Sequence, residues 1–232
     1  LLDVMGHSKY RSGVGKLLHL AKWSRVEMLN RVRELSRFMS KPNVLHWKAM
    51  LRAMKYAVNT ANRGVLLRPN RKWDGKDKSF EFIVSGMADA DYAANLETRR
   101  SVSGYSTFLE GSVITTKSKM QTCVTLSTTE SEFVSMTECA QDMLFTMRVL
   151  QSLELKVKFP MVLQCDNKGA CDLANNWSAG GRTRHVATKI MFLRELKEEG
   201  LLAIEWVSNT EMVSDLFTKN LGDKDFKKCA KA

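Results

Sequence analysis

Three short stretches between residues 80 and 116 constrain the fold of this chain more than any other feature. Phe80, Phe82 and Val84 alternate with Glu81, Ile83 and Ser85, the pattern of a strand running toward Asp89. Gly104 to Leu109 and Ser112 to Thr116 then flank Glu110-Gly111. A glycine there supplies the positive φ that a two-residue hairpin turn needs. Strands joined so tightly read as antiparallel neighbours. A long helical stretch follows, from about Ser127 to Leu153. Met161 to Cys165 is a short apolar run ending in Asp166, which suits a strand buried on both faces. A short helix is predicted near 167–176, with a loop from Asn175 to Gly181. Another helix is predicted over 185–199, with Val186, Ile190, Leu193 and Leu196 on one side. Gly200 ends it, Leu201 to Val207 is a strand, and 210–219 is a last short helix. The order β-β-β-α-β-α-α-β-α implies an α/β fold, a mixed five-stranded sheet flanked by helices.

The first third is written differently. Val26, Leu29, Val32, Leu35 and Phe38 recur every third residue, predicting a helix near 24–39. Lys41-Pro42-Asn43 interrupts it. A second helix is predicted near 45–60, with Trp47, Met50, Leu51, Met54 and Val58 on one side and Lys48, Arg52 and Lys55 on the other. Gly64 to Arg68 is a strand candidate. Residues 69–78 are polar, rich in turn formers and without periodicity, and mark the expected boundary. The expected units are a small, mainly helical segment over 1–78, an α/β domain over 79–222 and a basic tail over 223–232.

Charge follows the same division. The chain carries a formal net charge of +11. Residues 1–78 hold 18 Lys and Arg against 5 Asp and Glu, whereas residues 79–232 hold 18 against 20. Two readings of the basic excess stand: a solvated surface, or a surface that neutralises phosphates through residues such as Arg25, Arg33, Lys48, Arg52 and Lys55. The five cysteines include no Cys-x-x-Cys pair, so reduced thiols in an intracellular compartment are expected rather than a disulfide framework or zinc site. No apolar run approaches the roughly 18 residues of a membrane span, and Leu1 to Tyr10 lack the pattern of a secretory signal. A first residue Leu1 reads as part of a longer frame or a processed product. Phosphate-loop and Gly-x-Ser-x-Gly patterns are absent.

The carboxylates carry the chemistry. Asp89 and Asp166 end predicted strands, where the backbone would hold a metal ligand rigidly. Each alone could equally start a turn or cap a helix. Glu132 is more specific. At about 100° per residue, Met136, Ala140, Met143, Met147 and Leu150 fall on one sheet-facing stripe, with Glu132 on its rim and Glu130 pointing well away. A carboxylate on a core-facing rim needs compensation, either from a shared cation or by reaching solvent from the first turn. Asp215, read alone, is a surface residue. Converging carboxylates would select Mg²⁺, or Mn²⁺, over softer metals. A pair of such ions suits phosphodiester hydrolysis.

Five motifs then resemble one family. Ala88 to Tyr105 (Ala-Asp-Ala-Asp-Tyr-Ala-Ala-Asn-Leu-Glu-Thr-Arg-Arg-Ser-Val-Ser-Gly-Tyr) is similar to the opening of the ribonuclease H domain of copia-type retrotransposon polyproteins. Leu126-Ser-Thr-Thr-Glu-Ser-Glu-Phe133, Cys165-Asp-Asn-Lys-Gly-Ala170, Arg182-Thr-Arg-His185 and Ser214-Asp-Leu-Phe-Thr-Lys219 resemble the family's later motifs, in order. Upstream, Tyr10 to Leu18, Leu35 to Met39 and His46-Trp47 resemble the tail of its reverse transcriptase, without the polymerase's paired aspartates. The resemblance implies a ribonuclease H-like fold behind a thumb- or connection-like remnant. It implies Asp89, Glu132, Asp166 and Asp215 as catalytic and metal-binding residues for two Mg²⁺ ions, so Asp215 gains a role by resemblance alone. In the family's mechanism the first Asp bridges both ions, the last helps hold the ion with the attacking water, and the middle pair hold the other. Arg99, Arg100, Asn167, Arg182, Arg184 and His185 are the implied nucleic-acid contacts. The implied partners are an RNA–DNA hybrid and the upstream reverse transcriptase, with no membrane. The implied location is a cytoplasmic virus-like particle or the nucleus, not the secretory route.

The chain also departs from the family. Ser208 to Met212 lacks the His that many ribonucleases H carry before the last Asp, and Ala88 and Ala187 replace polar residues. The alternative function is therefore a catalytically inactive or truncated nucleic-acid-binding remnant.

Overall fold

The computed structural model describes residues 1–175 and 187–230. The chain divides into two compact units, Leu1–Leu66 and Leu67–Ala232.

The first unit is helical: α1 (Val4–Trp23), a 3₁₀ turn (Val26–Met28), α2 (Leu29–Ser36) and α3 (Val44–Asn59). Asp3 caps α1 by accepting from the Gly6 N–H at 2.8 Å. Asn43 and His46 form a reciprocal capping box at the start of α3. Tyr10, Val14, Leu17 and Ala21 make one buried stripe of α1 at helical spacing, packed with Val32, Leu35, Met50, Ala53 and Ala57. Gly13 lets α1 approach α3, since a Cβ there would lie 2.4 Å from the Met50 sulfur.

Several expectations for this unit are corrected. The predicted 24–39 helix is a 3₁₀ turn followed by a helix that stops at Ser36. Leu51 and Val58 are exposed rather than core-facing, because the buried spacing on α3 runs Met50, Ala53, Ala57. Residues 64–68 form no strand; the Val65 N–H is used by the Ser24 carbonyl at 3.1 Å. Arg25 is buried, bonded to Glu27, the Ala57 carbonyl and Thr60, so it faces no phosphate. Arg33 is ion-paired to Glu34. Lys48, Arg52 and Lys55 are exposed, as expected.

The second unit holds the sheet. Its elements are β1 (Glu81–Phe82), β2 (Val84–Asp91), β3 (Val102–Leu109), β4 (Ser112–Met120), α4 (Thr128–Ser152), β5 (Lys156–Val157), β6 (Met161–Cys165), α5 (Lys168–Asn175), α6 (Ala187–Glu198), β7 (Leu202–Trp206), α7 (Asp215–Thr218) and α8 (Asp223–Cys229). The five-stranded sheet has the order β4-β3-β2-β6-β7. β2, β3 and β4 pair antiparallel, whereas β2–β6 and β6–β7 pair parallel. β1 and β5 form a separate two-residue parallel pair. In the hairpin turn Glu110 has φ 51° and Gly111 φ 78°, the pair of positive angles that a type I′ turn requires.

The helix α4 lies on the sheet through Met136, Ala140, Met143, Met147 and Leu150, all buried as the helical projection predicts. Gly86 on β2 admits it closely; a Cβ there would sit 2.6 Å from the Cys139 sulfur. Segment 67–78 is no free linker. Arg71 reaches the buried Glu110 carboxylate at 2.9 and 2.5 Å, and the Asn70 N–H donates to the Glu110 carbonyl at 2.7 Å. The same carboxylate accepts from the Ile83 N–H at 2.8 Å. This clasp moves the division of the chain upstream of the expected boundary at 78/79. The last predicted helix shrinks to the short α7, and the expected tail instead forms α8. All five cysteines are free. Among the described residues, no helix is long and apolar enough to cross a membrane.

Candidate metal centre

The parallel register of β2 and β6 brings two carboxylates side by side. Ala88 pairs with Cys165, so the next residues stand together: Asp166 just past the end of β6, and Asp89 inside β2, which runs on to Asp91 rather than ending at Asp89 as expected. On the other side of β2, Asp89 pairs with Gly104 of β3. Gly104 is what lets a third carboxylate in. A Cβ at that position would fall 2.4 Å from Thr218 Cγ2 and 2.9 Å from Phe217 Cβ, so only a bare backbone lets α7 rest on the sheet here. Ser118 fixes α7 by donating to the Phe217 carbonyl at 2.5 Å, and Ser214 donates to the Met87 carbonyl at 2.8 Å. Asp215 at the start of α7 is thereby delivered to Asp89 and Asp166.

Oxygens of Asp89, Asp166 and Asp215 lie within 4.8 Å of one another. Glu132, from the first turns of α4, forms a second such group with Asp166 and the sulfur of Cys165. Three of the four expected carboxylates thus converge on one point, and Glu132 joins through Asp166. The Cys165 thiol donates to Glu132 Oε2 at 3.7 Å. Glu130 is buried but takes no part; it accepts from the Leu126 N–H at 2.6 Å, just before the Ser127 N-cap.

Charge is in excess at this point. Burial pushes the Glu132 carboxyl well above its ordinary range, and the charges of Asp89 and Asp166 add to the shift. The Ala90 N–H and Lys219 oppose it. Burial, then Asp89, also raises Asp166. Burial, then Asp89, raises Asp215 to about 6, with Lys219 pulling the other way. The Lys219 ammonium lies 3.2 Å from Asp89 Oδ1 and 2.5 Å from Asp215 Oδ1, and Thr218 donates to the second oxygen of Asp89. One lysine against four carboxylates leaves a net negative, oxygen-rich cluster. That donor set fits a hard divalent cation.

Arg99 and Arg100 are exposed on the loop between β2 and β3, Arg99 with φ 55°. Asn167 caps α5, its side-chain oxygen accepting from the Ala170 N–H at 2.9 Å. Arg182, Arg184 and His185 lie outside the described residues. Sequence reasoning passed over Thr218, Lys219 and Gly104. Lys219, four residues after Asp215, carried the one local signal: the spacing of a helical ion pair.

A mixed five-stranded sheet with the antiparallel hairpin on one side of β2, two parallel strands on the other and carboxylates on the two central strands is the ribonuclease H-like fold. No protein-family model matches the sequence. The retrovirus-related Pol polyprotein of transposon TNT 1-94 from Nicotiana tabacum is 32% identical over 97% of this chain and 16% of its own length. That of transposon RE2 from Arabidopsis thaliana is 30% identical over 92% of this chain and 14% of its own length. The chain belongs to this family of retrotransposon Pol polyproteins, of which it spans about a sixth or less. A protein named secreted RxLR effector protein 161, from Plasmopara viticola, is 35% identical over 60% of this chain and 91% of its own length. Among solved structures, LC11-RNase H1, isolated from compost, aligns with 61% of this chain and 96% of its own at 12% identity and a TM-score of 0.47.

Proposed function

We propose that this chain hydrolyses the RNA strand of RNA–DNA hybrids during reverse transcription, as a metal-dependent endonuclease. The observation that carries the reading is the convergence of Asp89, Asp166 and Asp215 within 4.8 Å, with Glu132 beside Asp166. Asp89, the most buried of the aspartates, is held by Thr218 and Lys219 and would be the fixed point of the site. Asp166 belongs to both carboxylate groups and would link them. Two divalent ions bound there, Mg²⁺ or Mn²⁺, would lower the pKa of the attacking water and stabilise the leaving oxygen. The chain's own part is to hold four oxygen donors on rigid strands and helix starts, so that the donors themselves would need little reorganisation on loading. Hybrid recognition would fall to Arg99, Arg100, Asn167, Arg182, Arg184 and His185, reading phosphates and 2′-hydroxyls.

The upstream unit would be the thumb- or connection-like end of a reverse transcriptase, and its exposed Lys48, Arg52 and Lys55 would meet the phosphates of the same hybrid. The setting would be a cytoplasmic virus-like particle or the nucleus. A second reading, a nucleic-acid-binding remnant without turnover, is favoured by one observation: Ser208 to Met212 contains no histidine.

The test is cleavage of a labelled RNA–DNA hybrid with Mg²⁺. Wild-type protein is expected to cut the RNA strand, and Asp89→Asn to abolish cutting. Cleavage unchanged in Asp89→Asn means the site is wrong. Hybrid binding without cleavage supports the second reading.

A further inference from the structure

We propose that Lys219 is a built-in counter-ion of the acidic centre, competing with divalent cations for Asp89 and Asp215 and turning outward when the site is loaded. This rests on the reading above, that these carboxylates hold metal. The ammonium contacts Asp89 Oδ1 at 3.2 Å and Asp215 Oδ1 at 2.5 Å. The same two residues, with Asp166, offer the oxygens that lie within 4.8 Å of one another. A divalent ion among those oxygens would stand within a few ångströms of the ammonium, and two cations so close in a half-buried site repel strongly. Either the ammonium leaves or the ion binds weakly.

Lys219 is placed to leave. It is the C-cap of α7, with extended backbone angles (φ −106°, ψ 151°), so its side chain can swing without unwinding the helix. The stem is flexible and the side chain 35% exposed, against 1% for Asp89 and 15% for Asp215. The carboxylate it leaves is not abandoned, because Thr218 keeps its bond to the other oxygen of Asp89. Lysine at this position therefore keeps the buried Asp89 and the half-buried Asp215 together before loading, at the cost of a higher metal requirement.

The experiment is calorimetric titration of the full chain with Mn²⁺, comparing wild type, Lys219→Met and Asp89→Asn. Lys219→Met keeps the stem and removes the charge. It is expected to bind Mn²⁺ about tenfold more tightly than wild type, a fraction of the unscreened repulsion since the lysine is partly exposed. A lysine that only supports the fold would leave the affinity of the variant unchanged or weaker, and either result overturns the proposal. A second measurement needs no variant. Acylation of Lys219 in wild type by an amine-reactive probe, read by mass spectrometry, is expected to rise severalfold when Mn²⁺ is added. Unchanged labelling at saturating Mn²⁺ overturns it too. If wild type shows no Mn²⁺ binding that Asp89→Asn removes, the metal reading itself has failed, and that result is distinct from the other two.

Discussion

Replacing Gly104 with alanine should separate α7 from the sheet while leaving every carboxylate in the chain. The added methyl would meet Thr218 Cγ2 at 2.4 Å, Phe217 Cβ at 2.9 Å and the Phe217 backbone carbon at 3.1 Å. The last of these is main chain, so rotating a side chain cannot relieve the contact, and the helix has to move. Overpacking of this kind costs about 1–3 kcal/mol. For a unit of this size each kcal/mol is worth about 2–4 °C, so melting should fall by roughly 2–12 °C. The site should suffer more than the fold. Displaced from β3, α7 no longer delivers Asp215 to Asp89; loss of that ligand outweighs the withdrawal of the Lys219 charge, and Mn²⁺ affinity should drop by at least about tenfold. Gly86→Ala is the matched control. Its methyl would meet the Cys139 and Met143 sulfurs, at 2.6 and 2.7 Å, on the α4 side of the sheet. It should cost comparable stability without altering α7. Denaturant unfolding and Mn²⁺ calorimetry on both variants decide the matter. If Gly104→Ala binds Mn²⁺ like wild type, or if Gly86→Ala loses as much affinity, close approach at Gly104 is not what assembles the site.

Other expectations follow from the same geometry. Asp215 is raised from 3.8 to about 6 by burial and by Asp89. Between about pH 4 and pH 6 the unfolded chain has therefore given up a proton that the folded chain keeps, and stability in chelator should fall as pH rises through that window. Glu132 and Asp166 are raised too and act in the same direction. Asp215→Asn should flatten the dependence; urea unfolding at several pH values measures it, and an unaltered slope refutes it. A fragment beginning at residue 67 should melt higher than one beginning at 79, because the shorter piece leaves the buried Glu110 carboxylate without Arg71. Equal melting would show the clasp to be dispensable. Changing Lys48, Arg52 and Lys55 to Gln should weaken hybrid binding uniformly across sequences and reduce the salt slope by roughly one for each phosphate no longer neutralised. An unchanged slope, measured by fluorescence anisotropy at several salt concentrations, would return that face to solvent.

How legible each feature was depended on the range of the interaction that creates it. The hairpin at Glu110-Gly111 and the long helix α4 are local. Turn chemistry and a helical stripe specify them. The helical projection alone does not settle the glutamates: it turns Glu130 well away from the core, yet Glu130 is as buried as Glu132, at 5% each, because its carboxylate folds back onto the Leu126 N–H. The stripe Tyr10, Val14, Leu17, Ala21 was equally local, yet the α1 it defines went unread among the glycines and polar residues around it. The 69–78 segment looked like a linker because its partner, Glu110, lies far along the chain and its polar composition gives no hint of a buried ion pair.

Asp215 is the sharpest case. A four-residue helix has no periodicity to detect, so no pattern within 210–219 could mark that aspartate as turned toward the other carboxylates. Its position is written more than a hundred residues earlier, in the missing side chain of Gly104, which sits beside Asp89 in the sheet and under Thr218 in space. A glycine inside a strand weakens it. Here the weakness coincides with the one place where the strand must let another backbone come close. Strand glycines paired with a buried carboxylate are therefore the feature to search for when a ligand arrives from a distant and featureless part of a chain. The search is testable within this molecule. Gly86 has the same strand setting but pairs with Thr107 and Leu163, not a carboxylate. Its substitution should touch packing alone.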